Sequence, residues 1–250
     1  MASQMLSETT FAPGSPALER ESASPETMTL RGTIVKALLL LLVAFAFGAI
    51  GWSNAPSWFA DGSSIWWIVG YIVLIGLTIA AAANPRLALP GGLIYAVLMG
   101  LWMGAISRVY EFVFEGIVGQ ALLASVCAFL ACLLLYLSRA IRVTPRLTRV
   151  IVIAIGGILL LYLFGWIFNL FGVNLRFMSE PTILGIAISV AICIVAALSL
   201  LLDFASVEQG VEAGAPAAME WYAAFGLLAT LVWLYAELLR LLALMRMRRQ

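Results

Sequence analysis

The chain has 250 residues, 64% of them hydrophobic and 11% charged, with a formal net charge of +1 and no histidine. So few charges cannot cover a soluble domain of this size, so the class is a polytopic helical membrane protein, and near-neutrality without a clustered basic face predicts no nucleic-acid partner. Without histidine there is no His-ligated haem, few possible zinc sites and no Ser-His or Cys-His catalytic pair.

Residues 1–30 are rich in Ser, Thr, Pro and Glu and hold no apolar stretch. That composition predicts a disordered tail, and it lacks the charged-then-apolar start of a signal peptide. Seven apolar runs follow, at about 33–52, 65–83, 91–109, 117–137, 149–168, 182–203 and 220–244. Each is close to the ~20 residues that a helix needs to cross ~30 Å of hydrocarbon. The expected organisation is a tail at 1–30, a seven-helix transmembrane domain at 31–245 and a short basic tail at 246–250. Breakers mark the connections: Asn54 and Pro56, Asn84 with Pro85 and Pro90, Pro145, Asn174, Pro181, and Gly210 with Gly214 and Pro216. Backbone polar groups in lipid must be satisfied within the segment, and no alternating strand pattern suggests a barrel, so the spans are helices and the fold class is all-α. Trp52, Trp58, Trp66, Trp67, Trp166 and Trp221 fall near span ends, as an interfacial aromatic belt predicts. Gly100 and Gly104 have the small-xxx-small spacing of closely packed helices. Cys127, Cys132 and Cys193 lie inside apolar runs without metal-site spacing and read as small buried hydrophobes.

The loop between runs four and five carries Arg139, Arg142, Arg146 and Arg149. The positive-inside rule puts it in the cytoplasm with the N-terminal segment that bears Arg20, Arg31 and Lys36. Seven crossings then leave Arg246, Arg248 and Arg249 outside, against the same rule.

Two acids occur where lipid disfavours them. Glu237 lies inside the last run, and Asp203 closes the one before it. An ionised carboxylate at bilayer depth costs roughly 2.5–3.5 kcal/mol on insertion scales, so such groups face a bundle interior or a watery path and have a partner. For Glu237 the local reading is a pair with Arg240, three residues on; the sharper one sets it facing Asp203, with Arg86 as a further partner. Glu208 and Glu212 read as solvated loop acids, and Glu111, Glu115 and Glu180 as an outer acidic vestibule. Two carboxylates in one desolvated site cannot both ionise cheaply, so a facing pair would titrate as a unit and act as a proton switch. Hard divalent cations prefer carboxylate oxygens, which makes Ca²⁺ the sensible transported ion.

The segment 198–242, LSLLLDFASVEQGVEAGAPAAMEWYAAFGLLATLVWLYAELLRLL, resembles the Bax inhibitor/YccA family of seven-helix membrane proteins, particularly its bacterial branch. The run RVYEFVFEGIVGQALLASVCAFLACLLLY at 108–136 supports the resemblance, which extends over roughly residues 30–245. It implies a central last helix wrapped by the other six. It also implies a pH-sensitive calcium leak governed by acids of spans six and seven and an arginine near the end of span two. Those positions match Asp203, Glu237 and Arg86; Glu237 stands where the family is similar in having aspartate, one methylene shorter. The expected function is therefore a proton-gated calcium leak, with lipid, calcium ions and protons as partners and no bound cofactor. The resemblance places it in a bacterial plasma membrane with the N-terminus cytoplasmic. The alternative it offers is a regulator of a membrane-bound AAA protease or stress complex without flux of its own. An enzyme is not expected, since no nucleophile motif or metal cluster is present.

Overall fold

The computed structural model describes residues 27–60, 74, 76, 88–141, 143–171 and 181–249. They form six long helices: α1 (Leu30–Ala60), α2 (Ala88–Val113), α3 (Ile117–Leu137), α4 (Pro145–Leu170), α5 (Ile183–Glu212) and α6 (Met219–Met247). All six are long and apolar enough to cross a membrane. They coincide with six of the seven predicted runs. The run at 65–83 lies outside the described residues except for Leu74 and Gly76, which are both helical.

Sequence chemistry sets the helix ends. Thr182 caps α5, its hydroxyl accepting from the Gly185 N–H at 3.0 Å. Before α3 the chain turns through Gly116, whose φ of 76° suits a residue without a Cβ. There the Glu111 carboxylate accepts from the N–H groups of Gly116 at 2.6 Å and Val118 at 3.0 Å. A side chain in the preceding helix thus satisfies amides that the first turn of α3 leaves free.

The last helix is the centre of the bundle. It packs against α1, α2, α3 and α5 and reaches α4 through a side-chain bond described below. Its Ala224, Phe225, Leu228, Leu234, Leu239 and Ala243 are buried in three apolar clusters. The outward faces stay apolar, with Leu42 and Phe45 of α1 and Ile153 of α4 about 70% exposed or more. A helix that is apolar all round and still exposed has lipid as its solvent.

Helices α1 and α2 pack backbone on backbone and run in the same direction. Leu40 meets Gly92, Ala44 meets Gly100 and Gly48 meets Gly104, and the Arg108 guanidinium lies 5.2 Å from the Trp52 ring centre. The backbone at Ala44 and Gly48 comes this close only because 100 and 104 are glycine, so the small-residue spacing is used as expected. The N-terminus of α1 is bonded to the start of α6, and the loop after α3 to the end of α5. Arg246, at the far end of α6, donates to the Glu115 carbonyl at 2.9 Å. The described chain therefore begins and ends at opposite ends of the bundle, and the loop bearing Arg139 shares the end where it begins.

Residues 1–26 lie outside the described residues. The expected tail does not extend to residue 30, because Met28 is 4% exposed and packed against the helices.

Candidate functional site: buried acids on the α5–α6 seam

Glu237 is 5% exposed and three neighbours hold it. The Tyr162 hydroxyl of α4 donates to its Oε1 in a short hydrogen bond. Trp233, one turn earlier on α6, donates to the same oxygen through Nε1 at 3.3 Å. Arg240 Nε lies 3.4 Å from Oε2, and its guanidinium sits 5.5 Å from the centre of the Tyr162 ring. The local Glu237–Arg240 pair expected from the i,i+3 spacing is therefore present. Tyr162 adds what spacing could not show, a tether from an otherwise peripheral helix. Tyr110 of α2 and Cys193 of α5 lie within electrostatic reach of both charges. Among the described residues Glu237 Oε2 and Arg240 Nε make no hydrogen bond and have only each other as an ion pair.

Asp203 faces a different part of α6. The Thr230 side chain stands beside its carboxylate, and its Oδ1 is 3.9 Å from where a Cβ at Gly226 would stand. Its Oδ2 is buried with no hydrogen-bond partner among the described residues. Thr230 and Glu237 are seven positions apart, about 10 Å along the helix axis. The structure thus does not bring the two acids together. The helices run antiparallel, with Asp203 level with Gly226–Thr230 and Cys193 level with Glu237. A shared proton in this conformation would need a slip of about two turns.

The other expected site residues divide. Arg240 is in the site, while Arg86 and Glu180 lie outside the described residues. Glu111 uses both carboxylate oxygens to cap α3, and Glu115 is exposed and contributes only its backbone carbonyl, to Arg246. Neither is part of a gathered vestibule here. Glu212 is exposed as expected. Glu208 is not simply solvated: the Tyr136 hydroxyl donates to it in a short bond, and Arg139 lies 3.6 Å away. Among the described residues no group of three or more His, Cys, Asp or Glu could hold a metal ion.

One more acid is buried. Glu220, at the start of α6, pairs with Lys36 of α1 at 2.6 Å and accepts from Thr29. An acid in the first turn of a helix was a signal in the sequence; its partner, 184 positions away, was not.

No curated protein and no solved structure matches the chain. The family model described as Bax inhibitor 1 like matches residues 7–247. That match takes in all six described helices, the central last helix, and Asp203, Glu220 and Glu237, and the chain therefore belongs to the Bax inhibitor 1 like family.

Proposed function

We propose that this membrane protein is a pH-sensitive calcium leak that crosses its membrane seven times, with Asp203 and Glu237 as its titrating groups. The observation that carries the reading is the buried Asp203 Oδ2, which has no hydrogen-bond partner among the described residues. A desolvated carboxylate with spare acceptor capacity can take either a proton or a cation. When protonated it offers a divalent cation little, whereas when ionised it is the hard oxygen ligand that calcium prefers. Passage should therefore grow as pH rises. Glu237, about 10 Å further along α6, is a second station on the same seam. In this conformation it is occupied by Tyr162, Trp233 and Arg240. Arg240 is the competitor that an incoming cation must displace, so the described state is a closed one. The two acids act in series rather than through one shared proton.

The parallel course of α1 and α2 supports seven crossings. Two helices that start at the same end need a return between them, and residues 61–87 exceed the ~20 residues that a crossing takes. Arg31, Lys36, Arg139, Arg146 and Arg149 belong to the N-terminal end, which supports a cytoplasmic N-terminus. The resemblance to bacterial members supports a plasma-membrane location.

The test is Ca²⁺ entry into dye-loaded liposomes containing the purified protein, between about pH 5 and pH 8. Entry that increases with pH is the expected outcome. No entry by folded protein at any pH would overturn the reading in favour of a regulator of a membrane-bound protease.

A further inference from the structure

The first described residues are bound to the far end of the sequence. Thr27 pairs with Pro216 in an antiparallel bridge, and the Met28 N–H donates to the Ala215 carbonyl at 2.7 Å. The Met28 side chain is buried between α5 and α6, clustered with Val207 and Leu227, and its sulfur rests against Gly210. Thr29 is held by Glu220, whose Oε1 accepts from its N–H at 2.7 Å and from its hydroxyl at 2.9 Å. The other oxygen of Glu220 accepts from Lys36 Nζ at 2.6 Å. The acid can lie against the start of α1 only because position 32 is glycine, where a Cβ would collide with the carboxylate. There it also meets the positive end of the α1 dipole.

The location of this strap gives it a role. Val207 is one turn beyond Asp203 on α5. Leu227 adjoins Gly226 and precedes Thr230, the two α6 residues beside Asp203. Met28 thus covers the α5–α6 seam about 6 Å outward of the Asp203 carboxylate, four residues at 1.5 Å each.

We propose that Thr27–Thr29 is a lid, with Met28 closing the α5–α6 seam over Asp203 and the Glu220–Lys36 pair acting as its catch. A strap of three residues anchored by one bridge, one apolar side chain and the two Thr29 hydrogen bonds to Glu220 is small enough to lift without disturbing the helix packing below it. Residues 1–26 lead directly into the lid, so whatever binds that segment would pull on the catch. The consequence for calcium rests on the reading of Asp203 as part of the path. The lid itself does not, and it can be tested without measuring flux.

In full-length protein with Cys127, Cys132 and Cys193 replaced by alanine, single cysteines are introduced as Asp203→Cys, Gln209→Cys and Leu200→Cys. Each is labelled in detergent with a charged methanethiosulfonate. Gln209 is exposed on α5, and Leu200 is fully buried about one turn deeper than Asp203. With the strap intact, Asp203→Cys should react at least about tenfold more slowly than Gln209→Cys. Deleting residues 2–29 should bring it within about threefold of that reference, and the milder Glu220→Gln should speed it about threefold, with Leu200→Cys unchanged in both. Rates at Asp203→Cys that neither change alters would overturn the lid. So would an equal acceleration at Leu200→Cys, which would mean that the strap merely holds the bundle together.

Discussion

Replacing Gly104 with alanine should destabilise the bundle, although alanine is the better helix former. A Cβ at 104 would stand 2.7 Å from the carbonyl carbon of Gly48 and 2.8 Å from its Cα. Non-bonded carbons rest at about 3.5–4.0 Å, so α1 and α2 must part by roughly 1 Å. A gap of that order forfeits about a quarter to a half of each dispersion contact along the seam. The neighbouring contacts are equally close, with a Cβ at Gly100 falling 3.0 Å from the Ala44 Cα and one at Gly51 falling 2.9 Å from the Leu101 Cα. The obstacles are backbone atoms that no rotamer change can move. Overpacking should therefore cost about 2–3 kcal/mol, the upper part of its usual range, against roughly 0.5–1 kcal/mol regained from alanine's propensity. The net loss is about 1–2.5 kcal/mol. Gly157 of α4 is the control, since a Cβ there would meet nothing within 4 Å. Gly157→Ala should be neutral or stabilising by up to about 1 kcal/mol. Unfolding in mixed micelles, followed by far-ultraviolet circular dichroism, compares the two. A Gly104→Ala protein as stable as wild type would refute the backbone-contact reasoning.

Tyr162→Phe removes the hydroxyl that α4 donates to Glu237. Hydrogen bonds to charged groups are worth about 1.5–3 kcal/mol, so hydrogen exchange in α4 should quicken by roughly tenfold or more. Glu220→Ala leaves the Lys36 ammonium without its partner in a site where Lys36 is 23% and Glu220 7% exposed. Partial exposure of Lys36 lowers the cost below that of a fully buried pair, to about 2 kcal/mol of unfolding free energy. Lys36→Met combined with Glu220→Met should recover much of that loss, because no stranded charge remains. Glu111→Ala takes the acceptor away from the Gly116 and Val118 amides. Stability should fall by about 1 kcal/mol, with faster exchange confined to the first turn of α3.

Local features of the sequence read through well to the structure. Six apolar runs, the Glu237–Arg240 spacing and the Gly100–Gly104 seam depend on residues within a few turns of each other, and all three are present. What escaped depends on register between distant segments. Tyr162 reaches Glu237 across 75 positions, Tyr136 reaches Glu208 across 72, and Thr29 reaches Glu220 across 191. No periodicity within one helix carries such information. The separation of Asp203 from Glu237 has the same origin. Each acid was visible in its own run, but how far α5 slides along α6 is set by packing, with Met28, Val207 and Leu227 at one end and Leu200, Leu201 and Leu234 further in. The strap at Thr27–Thr29 was hidden for a related reason. It is polar and short, and only its docking on the last loop and Met219–Met247 gives it order.

The measurement to make is the pH dependence of Ca²⁺ entry into liposomes for wild type, Asp203→Asn, Glu237→Gln and the double variant. Groups about 10 Å apart with separate partners should contribute independently. Each single change is then expected to remove part of the rise of flux with pH, and the double variant the remainder. If either single change abolished the whole rise, the acids would be one proton-sharing pair rather than two stations. If neither altered it, the titrating groups would lie elsewhere, and the assignment of Asp203 and Glu237 would be wrong.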